Sequence, residues 1–196
     1  MKAVALLSSG IDSPVAIYLM LRKGFEITPV HFRQSGTKES KVFELCEVLG
    51  KYGKLNEPVI VDAYEEQAPM FSKLAEIGKA KWTCLFCKYM MLRKACRVGH
   101  EIGARAIVTG DSLGQVASQT LDNLMIISRA SDLPILRPLI GLDKEEIVRI
   151  AKEIGTFDIS IEPEESCPFV PRYPIVRGSL GEFERIRERL VREGVL

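Results

Sequence analysis

The chain has 196 residues, 46% hydrophobic and 27% charged, which is room for one domain with a real core and too little for two full-sized ones. Lys plus Arg number 27 against 26 Asp plus Glu, so net charge alone argues for no polyanionic partner, and any nucleic-acid surface has to come from local clustering. Apolar runs fall far short of the roughly 20 residues of a membrane span. Met1–Leu7 runs straight into Ser-Ser-Gly, which suits a buried first strand better than a signal peptide, so a cytoplasmic protein without membrane association is expected.

In chain order, Lys2–Leu7 reads as a buried strand and Ser8–Ser13 as a small-residue loop. Pro14–Lys23 has helical apolar spacing, with proline in the first turn and Gly24 at the end. Glu26–His31 is a second strand, Ser40–Tyr52 an amphipathic helix, Pro58–Asp62 a third strand and Glu65–Ile77 a helix. Lys79–Cys87 is an irregular basic stretch, after which Tyr89–Ile102 returns to helix. Ala106–Thr109 and Leu133–Leu136 are the fourth and fifth strands. Asp143 caps the helix Lys144–Ile154, Ile161–Pro174 is a proline-rich irregular loop, and Leu180–Glu193 a charged terminal helix. The expected division is a catalytic domain over 1–176 and that charged helix over 177–196, packed on it or extending from it.

Strands separated by helices of this length imply parallel βαβ units, hence an α/β fold with a three-layer open parallel sheet flanked by helices. Ligands of such sheets sit outside the carboxyl ends of the strands, at the switch point in strand order. The loops Ser8–Ser13, His31–Ser35 and Gly110–Gln119 therefore share one rim, where chemistry is expected.

Ser8, Ser9, Gly10 and Ser13 form a small-residue loop between a strand and a helix N-terminus, which offers backbone N–H groups, hydroxyls and a positive dipole end to a phosphate. Asp12 would repel a bare phosphate, so it points to Mg²⁺ or to orienting a neighbouring donor. The plain alternative is a strand–turn–helix connection with serine as N-cap. Neither the dinucleotide pattern G-x-G-x-x-G nor the Gly-Lys-Ser/Thr phosphate loop is present.

The segment Leu6–Ala16, LLSSGIDSPVA, resembles the SGGxDS signature of PP-loop ATP pyrophosphatases, the adenine nucleotide alpha-hydrolase-like fold. With Met90–Arg93 (MMLR), Thr109–Thr120 (TGDSLGQVASQT) and Leu136–Glu145 (LRPLIGLDKE) it is similar to the catalytic domain of the tRNA 4-thiouridine synthetase family, ThiI. The likeness runs from Ala3 to Pro174 and departs at Ser9, which stands where the family pattern has its first glycine.

The resemblance implies ATP and Mg²⁺ as cofactors, ATP-dependent adenylation followed by sulfur transfer, and thiolation of a tRNA uridine. It places adenine between Leu6, Leu7, His31 and Phe32, with Gly110 allowing close backbone approach, Gln119 supplying an amide and Lys88 a point charge where relatives carry Arg. Lys144 matches the family's catalytic lysine, positioned to neutralise charge on the α-phosphate. Without that context Lys144 reads as a solvated first-turn lysine and His31 as a satisfied strand-end histidine.

Five cysteines, an odd number, argue against a disulfide framework and raise metal or thiol chemistry instead. Cys84 and Cys87 form a CxxC at the start of a helix among cations, a setting that lowers thiol pKa values. Cys167, in the proline-rich loop, matches the family's sulfur-handling cysteine. Cys84, Cys87 and Cys167 together look like the three-cysteine arrangement that holds an iron–sulfur cluster in some PP-loop tRNA thiolases. Zinc, metal-free persulfide or disulfide chemistry, and inert thiols are the alternatives. Cys46 and Cys96 read as core.

Relatives carry an RNA-binding THUMP region before the catalytic domain, and some a rhodanese domain. The loop begins here at residue eight, so the sequence implies a standalone form without either. RNA contact would then come from Lys79–Arg97, the terminal helix, a homodimer or a separate RNA-binding protein. Sulfide or a persulfide carrier would donate sulfur. Two other functions compete: adenylating sulfur transfer to a small molecule or carrier protein, and a non-catalytic ATP- or AMP-binding module.

Overall fold

The computed structural model describes residues 1–34 and 36–196; Ser35, the last residue of the rim loop after the second strand, lies outside them. Five strands, β1 (Lys2–Leu6), β2 (Glu26–Arg33), β3 (Val59–Asp62), β4 (Ile107–Val108) and β5 (Ile135–Leu136), form one sheet in the order β3-β2-β1-β4-β5. Every pairing is parallel, so the chain is an α/β protein of the expected class. β2 and β3 add to one side of β1, β4 and β5 to the other. Chain direction across the sheet thus reverses between β1 and β4, whose carboxyl ends open a crevice.

The pleat of β1 divides the core. Val4 points into a cluster with residues of α3 (Ala63–Glu76), α4 (Thr83–Ile102), α5 (Leu121–Ser128) and α8 (Leu180–Arg192). Ala3, Ala5 and Leu7 point into the other cluster, with α1 (Asp12–Arg22), α2 (Gly36–Leu49) and α6 (Lys144–Glu153). This two-sided burial explains why the strands read as continuous apolar runs.

Local signals hold where they were strongest. Asp143 accepts from Glu146 N at 2.8 Å while Glu146 Oε2 accepts from Asp143 N at 2.9 Å, a full capping box at the head of α6. The structure differs at four places. α2 begins at Gly36 rather than Ser40 and ends at Leu49, with a 3₁₀ turn over Gly50–Tyr52. α4 starts at Thr83 rather than Tyr89, so Cys84 and Cys87 lie inside the helix. α5 fills a stretch between the fourth and fifth strands to which the sequence reading assigns no element, capped by the Thr120 hydroxyl, which accepts from Asn123 N at 3.4 Å. A short helix α7 (Phe157–Ile161) precedes the proline-rich loop.

α8 buries Phe183, Ile186 and Leu190, one helical stripe, with Phe183 stacked on Phe86 of α4 at 4.5 Å between centroids. Its outer face is laced by Arg187–Glu184 and Arg189–Glu193 pairs at 2.6 and 3.0 Å. Among the described residues no helix is long and apolar enough to cross a membrane.

Candidate active site

The loop after β1 closes on Ser13. The Ser8 backbone N–H donates to Ser13 Oγ at 2.9 Å, the two serine hydroxyls lie 3.0 Å apart, and Ser13 Oγ donates to Ser8 O at 3.2 Å. The residue preceding α1 is Ile11, which offers no side-chain cap. The helix's first N–H groups are therefore not satisfied by the serine cap of the plain strand–turn–helix reading, an arrangement that suits an anion. Ser9 fits without strain, since no non-glycine residue among those described has positive φ. Gly110 is required for a different contact from the one expected. A Cβ there would stand 2.7 Å from Ser13 N and 2.8 Å from Ser13 Cα, so its missing side chain lets the loop after β4 press against the loop after β1.

Between these loops lies a pocket of about 240 Å³. Leu6, Leu7, Met91, Leu92 and Ile127 make an apolar wall; Ser8, Asp12, Ser13, Lys88, Thr109, Gly110, Asp111 and Gln119 make the polar side. Gln119 is buried and its Oε1 has no partner. Lys144 Nζ donates to Asp12 Oδ1 at 2.5 Å, joining the heads of α6 and α1 at the edge of the loop. That pair is half-exposed, open to a ligand and to solvent.

Asp111 and Arg137 are site residues that sequence reasoning missed, although both lie inside quoted family segments. Asp111 is buried, accepts from Lys88 Nζ at 2.8 Å and Thr109 Oγ1 at 2.8 Å, and faces Arg137 Nε at 3.4 Å. Burial pushes its carboxyl pKa up, but Lys88, Thr109 and Arg137 together outweigh that and hold it below the ordinary value. The expected contacts of His31 and Phe32 with a ligand are not pre-formed: both are buried and neither lines the pocket. His31 donates Nδ1–H to Leu7 O at 3.0 Å, its Nε2 has no partner, and burial lowers its pKa. It therefore steadies the end of β1 from beneath. Ser9 and Gly10 also stand off the pocket wall.

The sulfur-bearing loop is anchored on both flanks of Cys167. Ahead of it, Glu164 accepts from the Ser9 hydroxyl and from Lys41 Nζ, the latter at 3.0 Å. Lys41 is buried and also donates to Ser160 O and Glu162 O, at 3.2 and 3.0 Å. Behind it, Phe169 packs on Phe71 and Tyr64 of α3, with centroids 4.6 and 5.4 Å apart. The residue that departs from the family's glycine thus ties the Ser8–Ser13 loop to the Cys167 loop.

Cys84 and Cys87 lie one helical turn before Lys88 and Met91 of the pocket, and Cys167 is near enough to act electrostatically on both. Cys167 Sγ accepts from Gln34 Nε2 at 3.5 Å, and Cys87 Sγ donates to Gln67 Oε1 at 3.4 Å. The expectation of lowered thiol pKa values is overturned. Burial raises Cys84, and burial with the neighbouring thiols pushes Cys87 up to about 12, beyond what Lys88 offsets. The three sulfurs do not form a group within 4.8 Å of one another, whereas a tetrahedral zinc site holds thiolates about 3.8 Å apart. The zinc alternative is therefore not pre-formed. Cys96 is core as expected, but bonds to Asp132, whereas Cys46 is half-buried, with burial raising its pKa to about 11.

The basic stretch is largely neutralised within the protein. Lys79 pairs with Glu182 at 2.8 Å, and Lys94 and Arg97 pair with Glu66 at 3.1 and 2.9 Å. Of its cations only Lys88 lines the pocket.

Comparison with known proteins agrees with this geometry. A "Probable tRNA sulfurtransferase" of Thermococcus kodakarensis is 54% identical over 94% of this chain, and one of Methanocaldococcus jannaschii 46% identical over 96%. The chain spans about half the length of these curated relatives, 49% and 50%. A crystal structure of a 4-thiouridine synthetase–RNA complex with bound ATP superposes with a TM-score of 0.89 at 37% identity, covering 97% of this chain and 50% of that one. The U34-tRNA thiolase NcsA from Methanococcus maripaludis, solved with its [4Fe-4S] cluster, shares the fold at a TM-score of 0.56 and 16% identity, over 98% of this chain and 67% of its own. A family model described as thiamine biosynthesis protein (ThiI) matches residues 1–191, and with a pocket at the switch point and a Lys144–Asp12 pair at its edge, this chain belongs to the ThiI family.

Proposed function

We propose that this chain binds Mg-ATP in the β1–β4 crevice and adenylates a tRNA uridine that sulfur then attacks. The observation that carries the reading is the juxtaposition of an uncapped α1 N-terminus, the Asp12–Lys144 pair and an apolar-walled pocket. The purine lies against Leu6, Leu7, Met91 and Ile127, and the phosphates reach the loop N–H groups of Ser8–Ser13. Gln119 Oε1, an acceptor without a donor, suits a base amino group. Asp12 is the carboxylate that would hold Mg²⁺ against the phosphates, an oxygen ligand suited to that ion. Lys144, released from Asp12, is the cation for charge growing on the α-phosphate.

The base oxygen attacks the α-phosphorus and pyrophosphate leaves. A sulfur nucleophile then forms the C–S bond as the C–O bond breaks, and AMP leaves with the oxygen. Cys84, Cys87 and Cys167, three thiols beside the pocket, are the donor set that would hold an iron–sulfur cluster. When bound, such a cluster supplies an open iron for sulfide. Without it, Cys167 is the candidate sulfur carrier. The donor is sulfide or a persulfide carrier protein, and the reaction takes place in the cytoplasm with its tRNA.

The test is pyrophosphate release from Mg-ATP with and without tRNA, in wild type and in Asp12→Ala and Lys144→Met. We expect tRNA-dependent release that both substitutions abolish with the fold intact. Release that both variants retain would sink the assignment. Release that ignores tRNA but responds to a small molecule or carrier protein would favour that substrate class instead.

A further inference from the structure

The structure assigns a second metal site to Cys96, His100 and Asp132, at the far end of α4 from the pocket, for a single borderline ion such as Zn²⁺. Cys96 and His100 are four residues apart, so they share one face of α4. Cys96 Sγ donates to Asp132 Oδ1 at 3.0 Å, and His100 Nε2 lies 2.9 Å from the same oxygen. All three ligand atoms fall within 4.8 Å of one another, the only such group among the described residues. In a zinc tetrahedron ligand atoms at about 2.0–2.3 Å from the ion stand roughly 3.3–3.8 Å apart, so the exposed Asp132 carboxylate has only to draw back by a few tenths of an ångström to admit the ion. The fourth corner opens outward, where His100 and Asp132 are exposed, and water would fill it.

Asp132 is brought to the helix by a specific close approach. Gly99 lies inside α4, where glycine costs about 1 kcal/mol relative to alanine. A Cβ there would sit 2.7 Å from Leu133 Cδ1. The bare backbone at Gly99 therefore lets Leu133 settle against α4, which brings its neighbour Asp132 to Cys96 and His100. The Ser131 hydroxyl, accepting from Leu133 N at 3.0 Å, steadies the turn.

The donor set selects the metal. One thiolate, one imidazole and one carboxylate suit Zn²⁺ or Co²⁺ and disfavour Mg²⁺ and Ca²⁺, which take oxygen. A single cysteine excludes an iron–sulfur cluster. On binding, the thiol proton now shared with Asp132 is released and an S–metal bond replaces it. The ion would staple α4 to the turn after α5, and the same two helices carry Met91, Leu92 and Ile127 of the pocket wall. Its role is structural and does not depend on the ATP reading.

The test is Co²⁺ titration of reduced, chelator-treated full chain carrying Cys84→Ser and Cys87→Ser, which removes the other thiol pair. We expect one equivalent of tetrahedral Co²⁺ with a one-thiolate charge-transfer band, displaced by Zn²⁺. His100→Gln or Asp132→Asn, both at the surface, should weaken Co²⁺ at least about tenfold. Cys96→Ser should erase the band, and the two surface variants carry the test if that core substitution impairs folding. Absence of the band in the parent, or affinity unchanged in both surface variants, overturns the site.

Discussion

Removing the Lys41 ammonium should loosen the loop that carries Cys167. The Lys41 side chain is only 2% exposed, and its three acceptors are Ser160 O, Glu162 O and Glu164 Oε2. Lys41→Met keeps most of the volume but deletes every bond. Breaking a fully buried ion pair costs about 3–5 kcal/mol. Here the Glu164 side chain is 29% exposed and can turn to water, so about 2–3 kcal/mol is expected. For a chain of this size each kcal/mol shifts Tm by about 2–4 °C, hence a fall of about 4–12 °C. Because Glu164 also accepts from Ser9, the loss should spread to the phosphate loop. Calorimetry of Lys41→Met, Glu164→Gln and the double variant separates the pair from its surroundings. The double variant should lose about 0.5–3 kcal/mol less than the sum of the singles. Strict additivity, or a Lys41→Met Tm within a degree of wild type, would refute the reasoning. In a thiolation assay Lys41→Met should lower turnover with ATP affinity little changed.

Gly110→Ala should lower stability by about 1–3 kcal/mol through overpacking against Ser13 and weaken ATP binding, measured by denaturant melts and calorimetry; Gly36→Ala, with open space around it, is the control. Asp111, with a folded-state pKa below the usual 3.8, contributes stability that is complete above that value and lost as pH falls through the folded pKa. Melts from pH 6 down to about pH 2.5 should therefore show an acid loss that Asp111→Asn reduces. Cys87, pushed up to about 12, should resist alkylation at pH 8 in metal-free protein. Mass spectrometry showing Cys87 labelled faster than Cys167 would contradict the burial seen here.

Patterns of short range survived translation into structure. The parallel α/β class, the first and fourth strands (each ending one residue earlier than expected), the loop at Ser8–Ser13 and the Asp143 cap all follow from neighbours a few residues apart. The family resemblance likewise named Asp12, Lys144, Lys88, Gly110 and Gln119, all in the pocket or at its edge. What the sequence misjudged depended on partners far along the chain. Cations near Cys84 and Cys87 suggested acidic thiols, but packing of α3 against α4 buries Cys87 under Gln67, and desolvation outweighs Lys88. His31 looked like a rim residue, yet the register of β2 against β1 turns it beneath Leu7. α5 was hidden because it is short and gains its stability from burying Leu124, Ile126 and Ile127 against distant elements. Asp132 meets Cys96 and His100 only because Gly99 lets a turn more than thirty residues away settle on α4. Local chemistry selects elements and loops; which charges meet, and which are stripped of water, is decided by tertiary packing, because both depend on groups that sequence order keeps apart.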